Sequence, residues 1–137
     1  MTLKELSQLY YLNLEIERDQ EQLKVLRAKA SDPSGSKITG MPVGGGRINL
    51  LERYAAEIVD LEAVIAAKQQ RCIHERHRLE RYIASIPDSL TRQIFQLRFI
   101  NGLNWVKIAF SLGGGNTEEG VRKRVYRYLE QANKDDH

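Results

Sequence analysis

The sequence predicts an all-α protein: a long antiparallel helical hairpin of coiled-coil type, followed by a three-helix helix-turn-helix domain. Glycine and proline are absent from 1–32 and 47–86 but gather in 33–46 and recur after residue 86, a distribution typical of helices joined by connectors. Apolar residues in the two Gly/Pro-free stretches recur at alternating spacings of three and four, the period of a coiled-coil seam. Three short amphipathic segments separated by glycine-containing turns follow, which is the outline of a helix-turn-helix.

The first predicted helix begins after Thr2, which forms a capping-box pattern with Glu5 three residues later. Its seam has Asp19 at one position. The apolar seam residues are Leu9, Leu12, Ile16, Leu23, Leu26 and Ala30. A seam this narrow needs a partner helix to cover it.

The second predicted helix repeats the pattern and is the nearest available partner. Its seam is formed by Leu51, Tyr54, Ile58, Leu61, Ile65, Lys68, Cys72, Glu75, Leu79, Tyr82 and Ile86. Folding back through a Gly-rich connector at 31–46 gives a helical hairpin over 1–86. An intermolecular coiled coil fits the same pattern, and we expect a homodimer or another homo-oligomer.

The helix-turn-helix domain is predicted over 87–137. Asp88 or Ser89 can cap its first helix, which runs to about Ile100. Asn104 can cap the second helix, Trp105 to Leu112, and Asn116 can cap the third. Trp105 either stacks on nucleic acid or packs against the first helix, the commoner role of a lone Trp in a small domain.

The third helix carries four cations in the six residues from Arg122 to Arg127. Val121, Val125 and Leu129 share one face, which leaves the cations toward solvent or phosphate. The alternative is an ordinary solvated helix face. The position of this helix in a helix-turn-helix favours DNA binding. A second basic stretch, formed by Lys68, Arg71, Arg76, Arg78 and Arg81, is better explained as a charged helix surface with Glu–Arg pairs.

Metal-dependent and enzymatic functions find little support in the sequence. Cys72, His74 and His77 lack both the spacing and the fourth ligand of a structural zinc site. The Gly-rich stretches do not match a phosphate-binding loop, and no nucleophile–base set stands in a suitable context. We therefore expect no enzyme activity, no metal and no cofactor.

The overall composition fits a soluble protein that binds DNA by locally placed charge. The net charge is +3. The chain has one cysteine, and a single cysteine excludes an intramolecular disulfide and fits a reducing compartment. The sequence has no apolar run long enough to span a membrane and no apolar signal core. We expect a cytoplasmic protein.

The segment from Leu97 to Gly113, LRFINGLNWVKIAFSLG, resembles the helix-turn-helix of region 4 of bacterial sigma factors. The segment from Gly120 to Leu129, GVRKRVYRYL, is similar to the recognition helix of that family. The chain departs from the family pattern in its longer Gly-rich turn, in Val106 and Lys107 where acidic residues are common, and in Gly120 where Thr is common.

Nearly the whole chain is similar to small phage and prophage proteins of Gram-positive bacteria that are regarded as sigma-like transcriptional regulators. That resemblance implies promoter DNA as the ligand, the host RNA polymerase as a partner, and the bacterial host cell as the location.

Together these features predict a sequence-specific, double-stranded DNA-binding regulator whose 117–130 helix enters the major groove. Residues expected to contact bases are Asn116, Thr117, Glu118, Glu119, Arg122, Lys123 and Tyr126. Arg124 and Arg127 are expected to contact phosphates. Two alternatives stay open: a small-terminase-like phage DNA-packaging protein, and a helical interaction protein that does not bind DNA.

Overall fold

The computed structural model describes residues 1–31 and 44–135, with only the backbone of 44–48. All the secondary structure in these residues is helical, so the all-α prediction is confirmed. A π-helical segment, Gln96–Ile100, continues the fourth helix directly. The α-helices are α1 (Leu3–Leu6), α2 (Gln8–Ser31), α3 (Gly44–Ala84), α4 (Ser89–Phe95), α5 (Trp105–Leu112) and α6 (Glu118–Asp135).

Polar side chains cap three of these helices at positions that the sequence predicts. The Thr2 hydroxyl accepts a hydrogen bond from the Glu5 amide at 3.2 Å. Asp88 accepts from the Thr91 amide at 3.0 Å, and Asn104 accepts from the Lys107 amide at 2.8 Å. Each bond satisfies an amide that has no partner within its own helix.

Helix α3 begins earlier than its sequence suggests. Gly44, the first residue of α3, lies inside the segment predicted as a connector at 31–46. Glycine destabilises the interior of a helix, but the three glycines of 44–46 lie in the first turn of α3. The predicted connector residues 32–43 lie outside the described residues.

The chain divides into two compact units. A terminal unit contains Met1–Asn13 together with Cys72–His137, and a middle unit contains Leu14–Arg71. This division differs from the predicted boundary between 86 and 87, because the beginning of α2 and the end of α3 share the core of the three short helices. A domain of about 50 residues buries too little surface to be stable easily, and the added helix segments enlarge its core.

The core of the terminal unit is one continuous apolar cluster. Phe95 is fully buried at its centre, and its ring contacts the rings of Tyr82, Phe99 and Tyr128 at centroid distances of 6.3, 5.4 and 5.5 Å. The buried members of the cluster are Leu6, Leu9, Leu79, Ile83, Ile86, Ile94, Phe95, Phe99, Ile108, Ala109, Val121, Val125 and Leu129. This cluster fixes α5 and α6 on the end of α3.

The middle unit pairs α2 with α3 along the predicted seam. Its buried apolar residues are Ile16, Leu23, Leu26 and Ile65. The Lys68 ammonium lies 2.6 Å from the Asp19 carboxylate, and Arg27 lies 3.4 Å from Glu62. The later residue of α2 thus pairs with the earlier residue of α3, so the two helices run in opposite directions within this unit.

Candidate nucleic-acid interface

Helix α6 separates into a buried face and a cationic face. Val121, Val125 and Leu129 are 2%, 0% and 6% exposed, and their i, i+4, i+8 spacing aligns them on one side of the helix. Arg122, Lys123, Arg124, Tyr126 and Arg127 are all exposed. The predicted polarity of the helix is therefore present, with the basic residues directed away from the core.

The turn before α6 depends on three consecutive glycines. Gly113, Gly114 and Gly115 have φ values of 63°, 59° and 81°, in the left-handed region that L side chains seldom adopt. The Asn116 side-chain amide donates to the Gly113 carbonyl at 2.7 Å, which closes the turn. Such a turn favours residues without a Cβ, which is why glycine occupies all three positions.

Thr117, and not Asn116, caps α6. Its hydroxyl accepts a hydrogen bond from the Gly120 amide at 3.0 Å, and α6 begins at the next residue, Glu118. The prediction of Asn116 as the cap is wrong, because its side chain is used in the glycine turn. A Cβ at Gly120 would lie 3.0 Å from the Thr117 hydroxyl, so the glycine keeps this cap uncrowded.

The first turn of α6 carries both predicted acidic contacts. Glu118 and Glu119 lie at the positive end of the helix dipole, where carboxylates are stabilised. Glu119 also pairs with Lys123 at 2.9 Å, and both side chains are more than half exposed. An exposed pair of this kind is weak, so Glu119 does not hold Lys123 firmly.

Arg124 is exposed, but it has intramolecular partners at the start of α4. Its guanidinium lies 3.1 Å from the Asp88 carboxylate and 3.5 Å from the Thr91 hydroxyl. Hydrogen bonds from Thr91, and then the charges of Arg124 and Arg92, hold the pKa of Asp88 below its usual value. Arg124 is thus the predicted phosphate contact with the strongest intramolecular partner.

Arg122 and Arg127 make no hydrogen bond or ion pair with any residue that the structure describes. Tyr126 is 44% exposed, and its ring meets the Trp105 ring edge-on at 6.4 Å. Since Arg122 and Tyr126 are one turn apart, they lie on the same side of α6. Arg122 and Arg127 are thus available to a ligand without breaking a described contact, whereas Tyr126 is held by Trp105.

Arg98 is a residue of this region that the sequence did not single out. Its guanidinium lies 4.3 Å from the centre of the Trp105 ring and donates to the Leu103 carbonyl at 3.1 Å. Trp105 therefore packs against the continuation of the first helix of the domain, one of its two predicted roles. The only sequence signal for Arg98 was its place in the sigma-like LRF segment.

Most cations of the second basic stretch form ion pairs with carboxylates of their own unit. In the middle unit, Lys68 contacts Asp19 and Glu15. In the terminal unit, Arg76 pairs with Glu80, and Arg78 pairs with Glu75 and Glu5. These pairs support the prediction of a charged helix surface, with Arg71 and Arg81 making no ion pair to a described residue.

Metal ligands do not cluster in the part of the chain that the structure describes. No group of three or more His, Cys, Asp or Glu residues there is arranged to hold a metal ion. The Cys72 sulfur instead lies 3.6 Å from the Asn13 side-chain oxygen. Among the same residues, no helix combines the length and apolar character needed to cross a membrane.

An open cleft of about 320 Å³ lies beside the π segment in the terminal unit. Tyr10, Tyr11 and Phe99 give it aromatic walls, and Arg98 and Asn104 lie at its edge. The Asn104 oxygen already accepts from the Lys107 amide, and Arg98 already bonds to Leu103. Arg98 and Asn104 are therefore already engaged in hydrogen bonds within the protein.

The most distinctive surface of the terminal unit is thus the exposed side of α6, braced by Trp105 and preceded by the glycine turn. Searches against protein-family models, curated proteins and solved structures found no match to this chain.

Proposed function

We propose that the protein is a sequence-specific DNA-binding transcriptional regulator that inserts α6 into the major groove of double-stranded DNA. The observation that carries the proposal is the exposed face of α6, where Arg122, Lys123, Tyr126 and Arg127 lie opposite the buried Val121 and Val125. An α-helix fits the major groove, and its exposed side chains then reach base edges and phosphates.

The intramolecular contacts of the α6 residues indicate which of them contact bases and which contact phosphates in the proposed complex. Arg122 and Tyr126 are the preferred base contacts, since Arg122 has no described partner and Tyr126 lies beside it. Arg127, with no described partner either, is the preferred phosphate contact. Lys123 contacts the DNA once its ion pair with Glu119 has opened. Asn116 and Thr117 contribute mainly by setting the turn and the cap.

The regulatory part of the proposal rests on the sigma-like resemblance. It makes the protein a phage- or prophage-encoded factor that acts on promoters with the host RNA polymerase, as a homodimer or another homo-oligomer. The alternatives are DNA packaging and a purely protein-binding role. They differ from regulation in a measurable property, because a regulator must select a DNA sequence, whereas phosphate contacts alone do not.

The test begins with selection of bound duplexes from a random-sequence pool by the purified full-length protein. We expect one enriched motif, and we expect Arg122→Ala with Lys123→Ala to lower affinity for it at least tenfold, since each base-contacting cation contributes about 1–3 kcal/mol. The matched control is Arg76→Ala with Arg81→Ala, which removes two positive charges from α3 in the same unit.

Circular dichroism establishes that both double variants keep their helices. Equal affinity for the motif in the α6 double variant and the wild type would refute the recognition-helix assignment. Salt-sensitive binding without any motif would favour packaging. Absence of binding at every salt concentration would favour the interaction protein, since phosphate contacts make log K fall linearly with log salt.

A further inference from the structure

Three side chains from different elements form a continuous stack that ends on the exposed side of α6. The Arg98 guanidinium covers the Trp105 ring at 4.3 Å. The Trp105 ring in turn meets the Tyr126 ring at 6.4 Å and an interplanar angle of 70°. The stack runs from the half-buried Arg98 through the half-buried Trp105 to Tyr126, which is 44% exposed.

The backbone around Arg98 is built to hold the first member of the stack. Arg98 lies at the centre of the π segment Gln96–Ile100, where the Asn101 amide donates to the Gln96 carbonyl at 3.1 Å. A π-helical turn is uncommon and is often found at functional sites. The Arg98 guanidinium also donates to the Leu103 carbonyl, which fixes its plane over the tryptophan.

Trp105 is equally constrained. It is the first residue of α5, directly after the Asn104 cap, so both its backbone and one face of its ring are fixed. Tyr126 would otherwise be an exposed tyrosine with free side-chain torsions. Contact with Trp105 limits those torsions before any ligand arrives, and an aromatic side chain that is already ordered loses less entropy on binding.

We propose that Tyr126 determines sequence specificity by contacting the C5-methyl group of a thymine, and that Arg98 and Trp105 are positioning residues that set its ring. The inference rests on the proposed function, because it requires α6 to lie in the major groove. Thymine is the base that presents an apolar group there, and apolar side-chain surface is what recognises it. Arg122, one turn earlier on the same side, adds a cation beside that contact.

The test uses the duplex most enriched by the wild-type protein and a set of copies in which each thymine in turn is replaced by uracil. This replacement removes only the C5-methyl group. We expect one position at which it weakens wild-type binding about fourfold, the effect of losing one buried methyl. Tyr126→Ala should bind both versions equally, while Tyr126→Phe should keep the preference for thymine.

Arg98→Lys tests the positioning role, because lysine keeps the charge but loses the planar group that covers Trp105. We expect this variant to lose roughly two- to fourfold in its preference for thymine over uracil, with no change in the salt dependence of binding. Arg92→Lys is the matched control, since Arg92 is also half-buried and donates to a backbone carbonyl, that of Ile86, at 2.8 Å.

Trp105 is the only tryptophan of the chain and supplies an independent signal. Its emission should change when the selected duplex binds the wild-type protein, and change less when it binds Tyr126→Ala. The inference is overturned if no thymine position is sensitive to uracil, or if Arg98→Lys and Arg92→Lys alter the preference equally. If the wild-type protein enriches no motif, the proposed function fails together with the inference. If it enriches a motif that is insensitive to uracil, only the thymine contact of Tyr126 fails.

Discussion

At the scale of single residues, Asp88 shows how one side chain can serve several elements. Its carboxylate caps α4 by accepting a hydrogen bond from the Thr91 amide, and it accepts a second one from the Thr91 hydroxyl at 2.6 Å. The same carboxylate pairs with Arg124 of α6. All three contacts favour the ionised carboxylate. The pKa of Asp88 is accordingly lowered, with the two Thr91 hydrogen bonds as the largest causes.

The lowered pKa predicts a loss of stability in acid. A group whose folded-state pKa is depressed contributes its stability above the unfolded-state value, here near 3.8, and loses it as pH falls through the lowered pKa. We expect the melting temperature of the wild type to fall more steeply below pH 4 than that of Asp88→Asn, which keeps a capping oxygen but cannot titrate. Parallel slopes for the two proteins would contradict this prediction.

Residue-scale features were predictable from sequence where the interaction is local. The caps at Thr2, Asp88 and Asn104 follow from residue type and the position just before a helix. The cap at Thr117 was misassigned to Asn116, because the glycine turn makes a different use of the asparagine amide. Arg98 was missed because its contact with Trp105 depends on the π segment, whose widened turn has no reliable sequence pattern.

At the scale of elements, the seam between α2 and α3 contains a polar layer that the heptad pattern anticipated. Asp19 and Lys68 occupy seam positions, and their side chains are only 18% and 23% exposed. Removing one partner of a half-buried pair leaves the other without compensation, whereas replacing both with apolar residues removes that penalty. We therefore expect an apolar pair at these two positions to be about as stable as the polar pair.

We expect Lys68→Ala to lower the free energy of unfolding by about 1–3 kcal/mol, the cost of an unsatisfied polar group. The double variant Asp19→Leu with Lys68→Leu should recover most of that loss. Urea denaturation monitored by circular dichroism measures both values. Arg27→Ala is a suitable control, because Arg27 and Glu62 are both about half exposed and such pairs contribute little.

Helix type and the buried face of α2 were predictable at this scale, since the three- and four-residue spacings of apolar residues determine which positions are buried. Leu9, Leu12, Ile16, Leu23 and Leu26 of the α2 seam are all buried. The α3 seam was predicted less well, because Leu51 is exposed and the buried Ile83 was not assigned to it. The beginning of α3 was not predictable, because glycine gives little information on where a first turn starts. The left-handed conformation of the three glycines before α6 was likewise not predictable, since the sequence indicated only a Gly-rich turn.

At the scale of the whole molecule, the two units differ in how much apolar surface they bury. The terminal unit has thirteen buried residues in one cluster, whereas the buried apolar residues described in the middle unit are Ile16, Leu23, Leu26 and Ile65. Local opening is easier where fewer apolar contacts resist it. The predicted boundary at residue 86 missed this division, because contacts between distant parts of the chain, which a heptad pattern does not specify, complete the terminal core.

Hydrogen exchange should reveal the division inside single helices. We expect amide protection in α3 to be lower before Arg71 than after Cys72, and protection in α2 to fall beyond Asn13. Mass spectrometry of peptic fragments of the full chain measures this directly. Uniform protection along the whole of α3 would contradict a terminal unit that is more stable than the middle one.

The π segment has a consequence for how the chain tolerates changes in length. A π-helical turn holds about one residue more than an α-helical turn, and each α-helical residue turns the chain by about 100° around the helix axis. A deletion of one residue in 96–100 that restores regular α-helix would therefore remove the extra residue and leave the direction of the following chain nearly unchanged. A deletion of one residue in Ser89–Phe95 would instead rotate the start of the chain that leads to Trp105 and α6 by about 100°, although no residue of α6 had changed. The orientation of the cationic helix thus depends on the number of residues well upstream of it, and the π segment is the place where that number can fall by one at the least cost.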